Sequence, residues 1–519
     1  MGIDYRIING YTYLTPVPVL DGATIGARAP HFLERAGYYF QNWNSLYDQW
    51  KVKTRELINE IEKINFAPLP EMVNLAWVRQ GRGIGSNFDM QAEYNRLIEL
   101  GYKGWQYHFE FLNLGYAAYL DFFMFCKQAF PDIPEQSIAK MVSGIEVDLF
   151  RPDDELKRLA KVAVDEGVAE LIKGNDDVET LLAKLGQSAT GQKWLAELEV
   201  SKDPWFNFST GTGFYHHDTV WMEDLKIPLS FIRNYITEIE SGADLSRPLE
   251  QLRQERDNIA AEYADLLASD EDRQTFQGKL GLARTVFPYI ENHNFYIEHW
   301  LHSVFWRKMK ELGQVLAGAG FWAEANDIFY LRRDEIPVAI FDLSTGWAVG
   351  AADRGSKYWP REIARRKKIV NALRAWTPPP ALGVPPEVVT EPFTIMLWGI
   401  TSDSISTWLA GSSGEGLSGF AASPGTVEGL ARVITSSAEL DQVQPGEIIV
   451  CPITAPSWAP VFSRIAAAVT DIGGMMSHAA IVCREYGLPA VVGTGFGTQT
   501  IKTGQRIRVD GAAGTVTLL

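Results

Sequence analysis

Apolar residues recur at three- and four-residue intervals through most of the first 376 positions, the spacing that keeps one face of an α-helix away from water. The pattern predicts helices over 31–64, 91–100, 105–128, 137–142, 153–171, 176–185, 249–267, 272–287, 290–317 and 363–376. Pro68 and Pro70 separate the first run from the second, and 327–331 reads as a short buried segment before Asp334 and Glu335. The periodicity then stops. Residues 377–386 hold five prolines and predict a semi-rigid linker, 395–400 predicts a strand, and 411–416 a Gly/Ser connection. The expected boundaries therefore fall near 376 and 416.

Beyond 416 the chain changes to short apolar runs punctuated by glycine. Residues 448–451, 466–469 and 490–492 predict strands, Gly473-Gly474 a tight turn, and 479–486 a helix closed by Gly487 and Pro489. This places His478 at a helix N-terminus, where unpaired N–H groups and the positive end of the helix dipole would face an anion on its ring. Gly473, Gly474 and Ser477 are the candidates for stabilising such a phosphate, the glycines because they let backbone approach closely. The expected fold class is multidomain: a mostly α-helical domain over 1–376, a linker region over 377–415, and a small α/β domain over 416–519.

Composition narrows the function. A formal charge of −16 with no strongly basic run argues against a nucleic-acid or anionic-membrane surface. The start of the chain has no apolar signal core and no apolar run has membrane-spanning length, so a cytoplasmic protein is expected. Three widely spaced cysteines, Cys126, Cys451 and Cys483, indicate neither a disulfide framework nor a cysteine zinc site. There is no Gly-x-x-x-x-Gly-Lys loop, and Gly81-Arg82-Gly83-Ile84-Gly85 reads as a loop rather than a phosphate cradle.

The string from Gly473 to Gly493, with Ser423-Pro424-Gly425, Pro445-Gly446-Glu447 and Val509-Asp510-Gly511, resembles the mobile phosphohistidine domain shared by phosphoenolpyruvate synthase, pyruvate phosphate dikinase, rifampicin phosphotransferase and phenylphosphate synthase. The resemblance implies that His478 carries a phosphoryl group, that 416–519 is a swivelling domain and that the helical domain before the linker is substrate-binding. Met476 stands where the dikinases usually have threonine, so regulation by threonine phosphorylation there does not carry over. Only 41 residues follow His478, which leaves no space after it for a phosphoenolpyruvate-binding barrel.

Before the linker, Arg284 to His293 and the later Glu311-Leu312-Gly313 and 327–331 more weakly resemble the helical substrate domain of rifampicin phosphotransferase and phenylphosphate synthase. That likeness implies the substrate and phosphohistidine subunit of a two-component enzyme. A separate ATP-binding, ATP-grasp-like subunit would load His478 from ATP, with Mg²⁺ bound mainly at that nucleotide site and AMP and phosphate as by-products. The phosphate would then pass to a phenol or cresol hydroxyl. A split antibiotic phosphotransferase and a phosphocarrier without a small-molecule acceptor are the alternatives.

Five of the eight histidines form two clusters, His216-His217 and His293, His299 and His302. Neutral imidazole could take the proton of a phenol, so His216, His217 and His293 are candidate bases, with Asp218 or Glu291 as orienting groups. Arg284, His299 and His302 complete the expected substrate-binding set. Glu298, His299 and His302 share a predicted helix, but no His-Glu-x-x-His motif is present and no metal is expected. Trp105, Tyr107, Phe109, Phe111, Phe122, Phe123, Phe295, Trp300 and Trp306 could line an aromatic pocket or simply form core.

Overall fold

The structure, a computed structural model, describes residues 2–17, 21–70, 75–81, 88–376, 378–379, 381–384, 386–410 and 416–519. Most of the glycine-rich turn after Gly81, and residues 411–415 of the Gly/Ser connection, lie outside the described residues. The chain forms two compact units, neither a single run of sequence, with one boundary at Gly383, inside the proline-rich segment.

One unit comprises Met1–Val17, Asp48–Glu110 and Trp300–Gly383. Its hairpin pairs β1 (Gly2–Ile8) with β2 (Tyr11–Val17), and the Tyr11 hydroxyl donates to the carbonyls of Leu373 and Trp376, both at 2.8 Å. Helices Asp89–Phe109, His302–Gly318, Glu335–Val349 and Gly355–Arg374 make up most of the rest. The predicted buried segment is a 3-10 turn, Ala325–Tyr330, with Ile328 fully buried. Arg366 ties this region together, its guanidinium forking onto Glu335 at 2.6 and 2.8 Å.

The other unit comprises Pro18–Tyr47, Phe111–His299 and Val384–Leu519. Its helical segment is built around Leu112–Ala129 packed on Asp270–His293, with Trp43, Phe111 and Tyr289 buried edge to face between them. The sequence pattern predicts a break near Pro288, yet the helix runs through it to His293, because its flanking Phe287 and Tyr289 are both buried. The rod then widens into a π-helix, Asn294–Leu301. Periodicity also misses whole helices, among them Ala189–Lys202, Lys226–Glu240 and Ser402–Ala410 in this unit and Glu335–Val349 in the other.

The α/β domain follows. Strands β3 (Gly416–Ser418), β4 (Phe420–Ser423), β5 (Thr426–Val433), β6 (Ile448–Cys451), β7 (Ala467–Thr470), β8 (Ala490–Val492), β9 (Arg506–Asp510) and β10 (Thr515–Leu518) form one sheet. Its order is β3-β10-β9-β5-β6-β7-β8-β4, with β5 to β8 parallel and the outer pairings antiparallel. β6, β7 and β8 are buried on both faces, which is why 448–451 and 466–469 read as unbroken apolar runs. A mostly helical region followed by a small α/β domain is thus the observed fold class.

The expected strand at 395–400 is instead a helix, Pro392–Trp398. Its start is fixed by Pro392 at the first position and by the Glu391 carboxylate, which accepts from the amides of Phe393 (3.2 Å) and Thr394 (2.7 Å). Gly399, at φ 68°, ends it. A short apolar run fits either element, and here the end signals decided.

Candidate functional site

His478 opens the helix His478–Tyr486, which lies between β7 and β8 in the chain. Ser477 is its cap, with its carbonyl accepting from Ile481 at 3.0 Å, and Gly487 closes it at φ 66°. The preceding turn needs its glycines. Gly473 has φ 141°, and a Cβ on Gly474 would lie inside contact distance of the Ile395 and Met396 carbonyls.

That close approach has a purpose. The amides of Gly473, Gly474 and Met476 donate to the carbonyls of Trp398 (3.2 Å), Leu397 (3.1 Å) and Met396 (3.0 Å). The two glycine amides therefore brace the turn on the helix Pro392–Trp398 and do not face the ring in this pose. Among the described residues, the His478 and Ala479 amides have no protein acceptor, so they are the donors left for an anion at this helix N-terminus. Buried Arg484 locks the arrangement by donating to Ala422 (3.0 Å) and Met475 (2.8 Å) carbonyls.

The ring itself is oriented by Thr454, whose Oγ1 lies 2.9 Å from Nδ1. Phe462 stands edge-on at 6.4 Å between ring centroids. His478 keeps part of its surface accessible, yet the packing around it pushes its pKa down to about 3, so it is an uncharged imidazole at neutral pH. In the tautomer that donates Nδ1–H to Thr454, the lone pair sits on Nε2, where a phosphoryl group can be accepted. Thr454 was invisible to sequence reasoning: it lies 24 positions before His478, on the loop after β6.

His216, His217 and Asp218 sit together on a loop closed by a bridge between Ser209 and Val220. His217 Nε2 is 3.7 Å from Asp218 Oδ1, and the Tyr215 ring stacks on His217 at 5.3 Å. Burial raises the Asp218 pKa, partly offset by His217. The base of this loop is bonded to the α/β domain, because Ser457 Oγ, three residues after Thr454, donates to the Thr210 carbonyl at 2.8 Å.

The π-helix arranges the second cluster. In this wider register residues five apart share a face, and His293 Nε2 comes 3.8 Å from Glu298 Oε1. His293 Nδ1 is 3.2 Å from the Tyr289 carbonyl. Burial pushes Glu298 up to about 7 and Glu291, also near Glu485, up to about 8. His299 has a structural bond, accepting at Nδ1 from the Ser209 amide (3.1 Å). Arg284 donates to the Met141 carbonyl (2.8 Å) and pairs with Asp257 (3.0 Å). His302 belongs to the other unit, where it packs against Trp105 and Trp306. Of the aromatic candidates in this unit, Phe111, Phe122 and Phe295 are fully buried core.

The pattern for the PEP-utilising enzyme, mobile domain, matches residues 443–514, the stretch that holds Thr454 and His478. Rifampicin phosphotransferase of Streptomyces sviceus is 30% identical over 389 residues, 74% of this chain and 38% of that protein. A probable phosphoenolpyruvate synthase of Staphylothermus marinus is 50% identical over 100 residues, 19% of this chain and 12% of its own length. Chondramide synthase cmdD of Chondromyces crocatus is 28% identical over 521 residues, 99% of this chain and 13% of that protein. The chain thus spans well under half the length of each of these relatives.

Proposed function

We propose that this chain, which carries the mobile domain of the PEP-utilising enzymes, is the acceptor-binding and phosphohistidine part of an ATP-dependent phosphotransferase acting on an aromatic hydroxyl. The observation that carries this reading is His478: uncharged, at a helix N-terminus, with Nδ1 held by Thr454 and Nε2 as the nucleophile.

Two transfers follow. In the first, Nε2 attacks the donor phosphorus, an N–P bond forms, and the P–O bond to the nucleotide-derived leaving group breaks. The amides of His478 and Ala479 and the helix dipole stabilise the charge gained. In the second, the acceptor oxygen attacks in line, the N–P bond breaks, and the hydroxyl proton passes to a base. Nδ1–H stays with Thr454 throughout. ATP and Mg²⁺ are assigned to a separate ATP-binding component, and the His216–Asp218 loop or the His293–Glu298 pair to proton acceptance.

A phenol or cresol is the smallest acceptor that fits this scheme. Similarity to rifampicin phosphotransferase over 74% of the chain favours a second reading, a larger aromatic hydroxyl compound such as an antibiotic. The test is to incubate the chain with phosphoramidate, a chemical phosphoryl donor, and look for acid-labile, base-stable phosphate on His478. Phenol, cresol and rifampicin are then offered to the phosphoprotein. Labelling that survives His478→Ala would overturn the carrier assignment, and discharge to only one acceptor class would decide between the two readings.

A further inference from the structure

The helix that begins with His478 ends in Glu485 and Tyr486, and both leave the α/β domain to bond the helical segment. Glu485 Oε1 accepts from the Gly144 amide at 2.8 Å. The Tyr486 hydroxyl donates to Asp153 Oδ2 at 3.2 Å. Asp153 is buried, and it already holds the Tyr235 hydroxyl at 2.5 Å and the Lys157 ammonium at 2.7 Å. The Gly144 turn is equally prepared, since Arg253 donates to the Gly144 carbonyl (3.0 Å) and Arg256 to the Ser143 carbonyl (3.3 Å).

We propose that Asp153 and the Gly144 amide form a socket for the C-terminal end of the His478 helix, a docking surface that selects the pose in which the phosphohistidine domain faces the acceptor segment. This rests on the carrier reading above.

Three features favour a dock over permanent core. Asp153 keeps two donors from its own segment, so it is not orphaned when Tyr486 leaves. Glu485 is the opposite case: it is almost fully buried, one of its oxygens has no partner among the described residues, and burial raises its pKa. Undocking would return that carboxylate to water, which offsets part of the cost of breaking the contact. Lys157 lies 5.8 Å from the centre of the Tyr486 ring, a cation at the negative end of the helix dipole that exists there only in this pose.

The nine-residue helix also separates docking from chemistry, since its ends are about 12 Å apart. Phe462 spans the two, 6.4 Å from the His478 ring and 6.3 Å from the Tyr486 ring. Three further bonds add to the surface: Gln136 donates to the Ala421 and Gly511 carbonyls at 2.6 Å each, and Ser457 to that of Thr210 at 2.8 Å.

The test uses the full chain with spin labels on Glu179→Cys and Lys502→Cys, both exposed, while Cys126, Cys451 and Cys483 are buried and do not compete. Tyr486→Phe, alone and with Glu485→Gln, is expected to move population from the short docked distance to a broader, longer distribution. Amide exchange at Gly144 should rise about tenfold. Ser201→Ala removes a bond to Glu155, on the helix that carries Asp153, within the helical segment and should leave the distance unchanged. An unchanged distribution in the double variant, or equal opening by Ser201→Ala, would overturn the proposal. If the distances shift as expected but His478 takes no phosphoryl from phosphoramidate, the dock stands and the carrier reading falls.

Discussion

Thr454 Oγ1 stands 2.9 Å from Nδ1 of His478, so a ring that donates Nδ1–H to it leaves Nε2 free. Thr454→Val should slow phosphoryl uptake by about tenfold, the worth of one buried hydrogen bond, and Thr454→Ser should restore it. Labelling kinetics with phosphoramidate give the rates. The position of the phosphate on the ring is read by ³¹P NMR, where Val should yield a mixture of isomers and the native chain Nε2 alone.

The low pKa of His478 makes a second expectation. Its ring should stay uncharged from pH 5 to 8, because burial has moved its protonation to about pH 3. The ring C–H resonance assigned by His478→Gln should therefore not move in that range. A midpoint near neutrality would show that the ring is solvated in solution.

Glu291 and Glu298 predict how stability varies with pH. Their folded pKa values, about 8 and about 7, lie above the ordinary glutamate value of 4.5, so the folded state binds more protons across that window. Their stabilising contribution is complete below about pH 4.5 and is lost as pH rises through 7 to 8, by up to about 1.4 kcal/mol per pH unit for each group. Urea unfolding between pH 5 and 8 measures the slope, and Glu291→Gln should flatten it. Glu485 and Arg484 act on Glu291 electrostatically and are kept native in that comparison.

Gly474→Ala should destabilise the chain by about 2 kcal/mol or more, since the added Cβ would collide with the Ile395 and Met396 carbonyls. The helix Pro392–Trp398 must then retreat, and the Gly474 amide loses Leu397. Denaturation gives the energy. Faster exchange of the 473–476 amides shows that the turn before His478 is what loosened.

Base removal separates the two proton-accepting candidates. His217→Ala or Glu298→Gln should leave phosphoryl uptake on His478 intact while slowing discharge to phenol by about 10² to 10⁴ for the group that serves as base. Single-turnover decay of the phosphoprotein reads this directly, and equal discharge in both variants would exclude both groups.

Much of the candidate site around His478 was legible because its signals are local. A buried strand, a glycine turn and a helix over 479–486 closed by Gly487 each depend on residues next to one another, so His478 was placed at a helix N-terminus from the sequence alone, although Ser477 as its cap was not read there. The same local logic failed at 395–400, where an apolar run too short to show a period was claimed by its end residues, Glu391 and Gly399.

What only the tertiary structure decided are relationships between distant positions. Thr454 reaches His478 across 24 residues, Trp398 and Leu397 take the glycine amides across more than 70, and Asp153 meets Tyr486 across 333. The π-register that brings His293 to Glu298 is likewise unreadable from spacing, since five residues apart lie on different faces of an ordinary helix. Periodicity and caps report each residue's neighbours along the chain. Which nitrogen of His478 is free, and what its helix docks against, depend on partners that only the packing of the whole unit brings near.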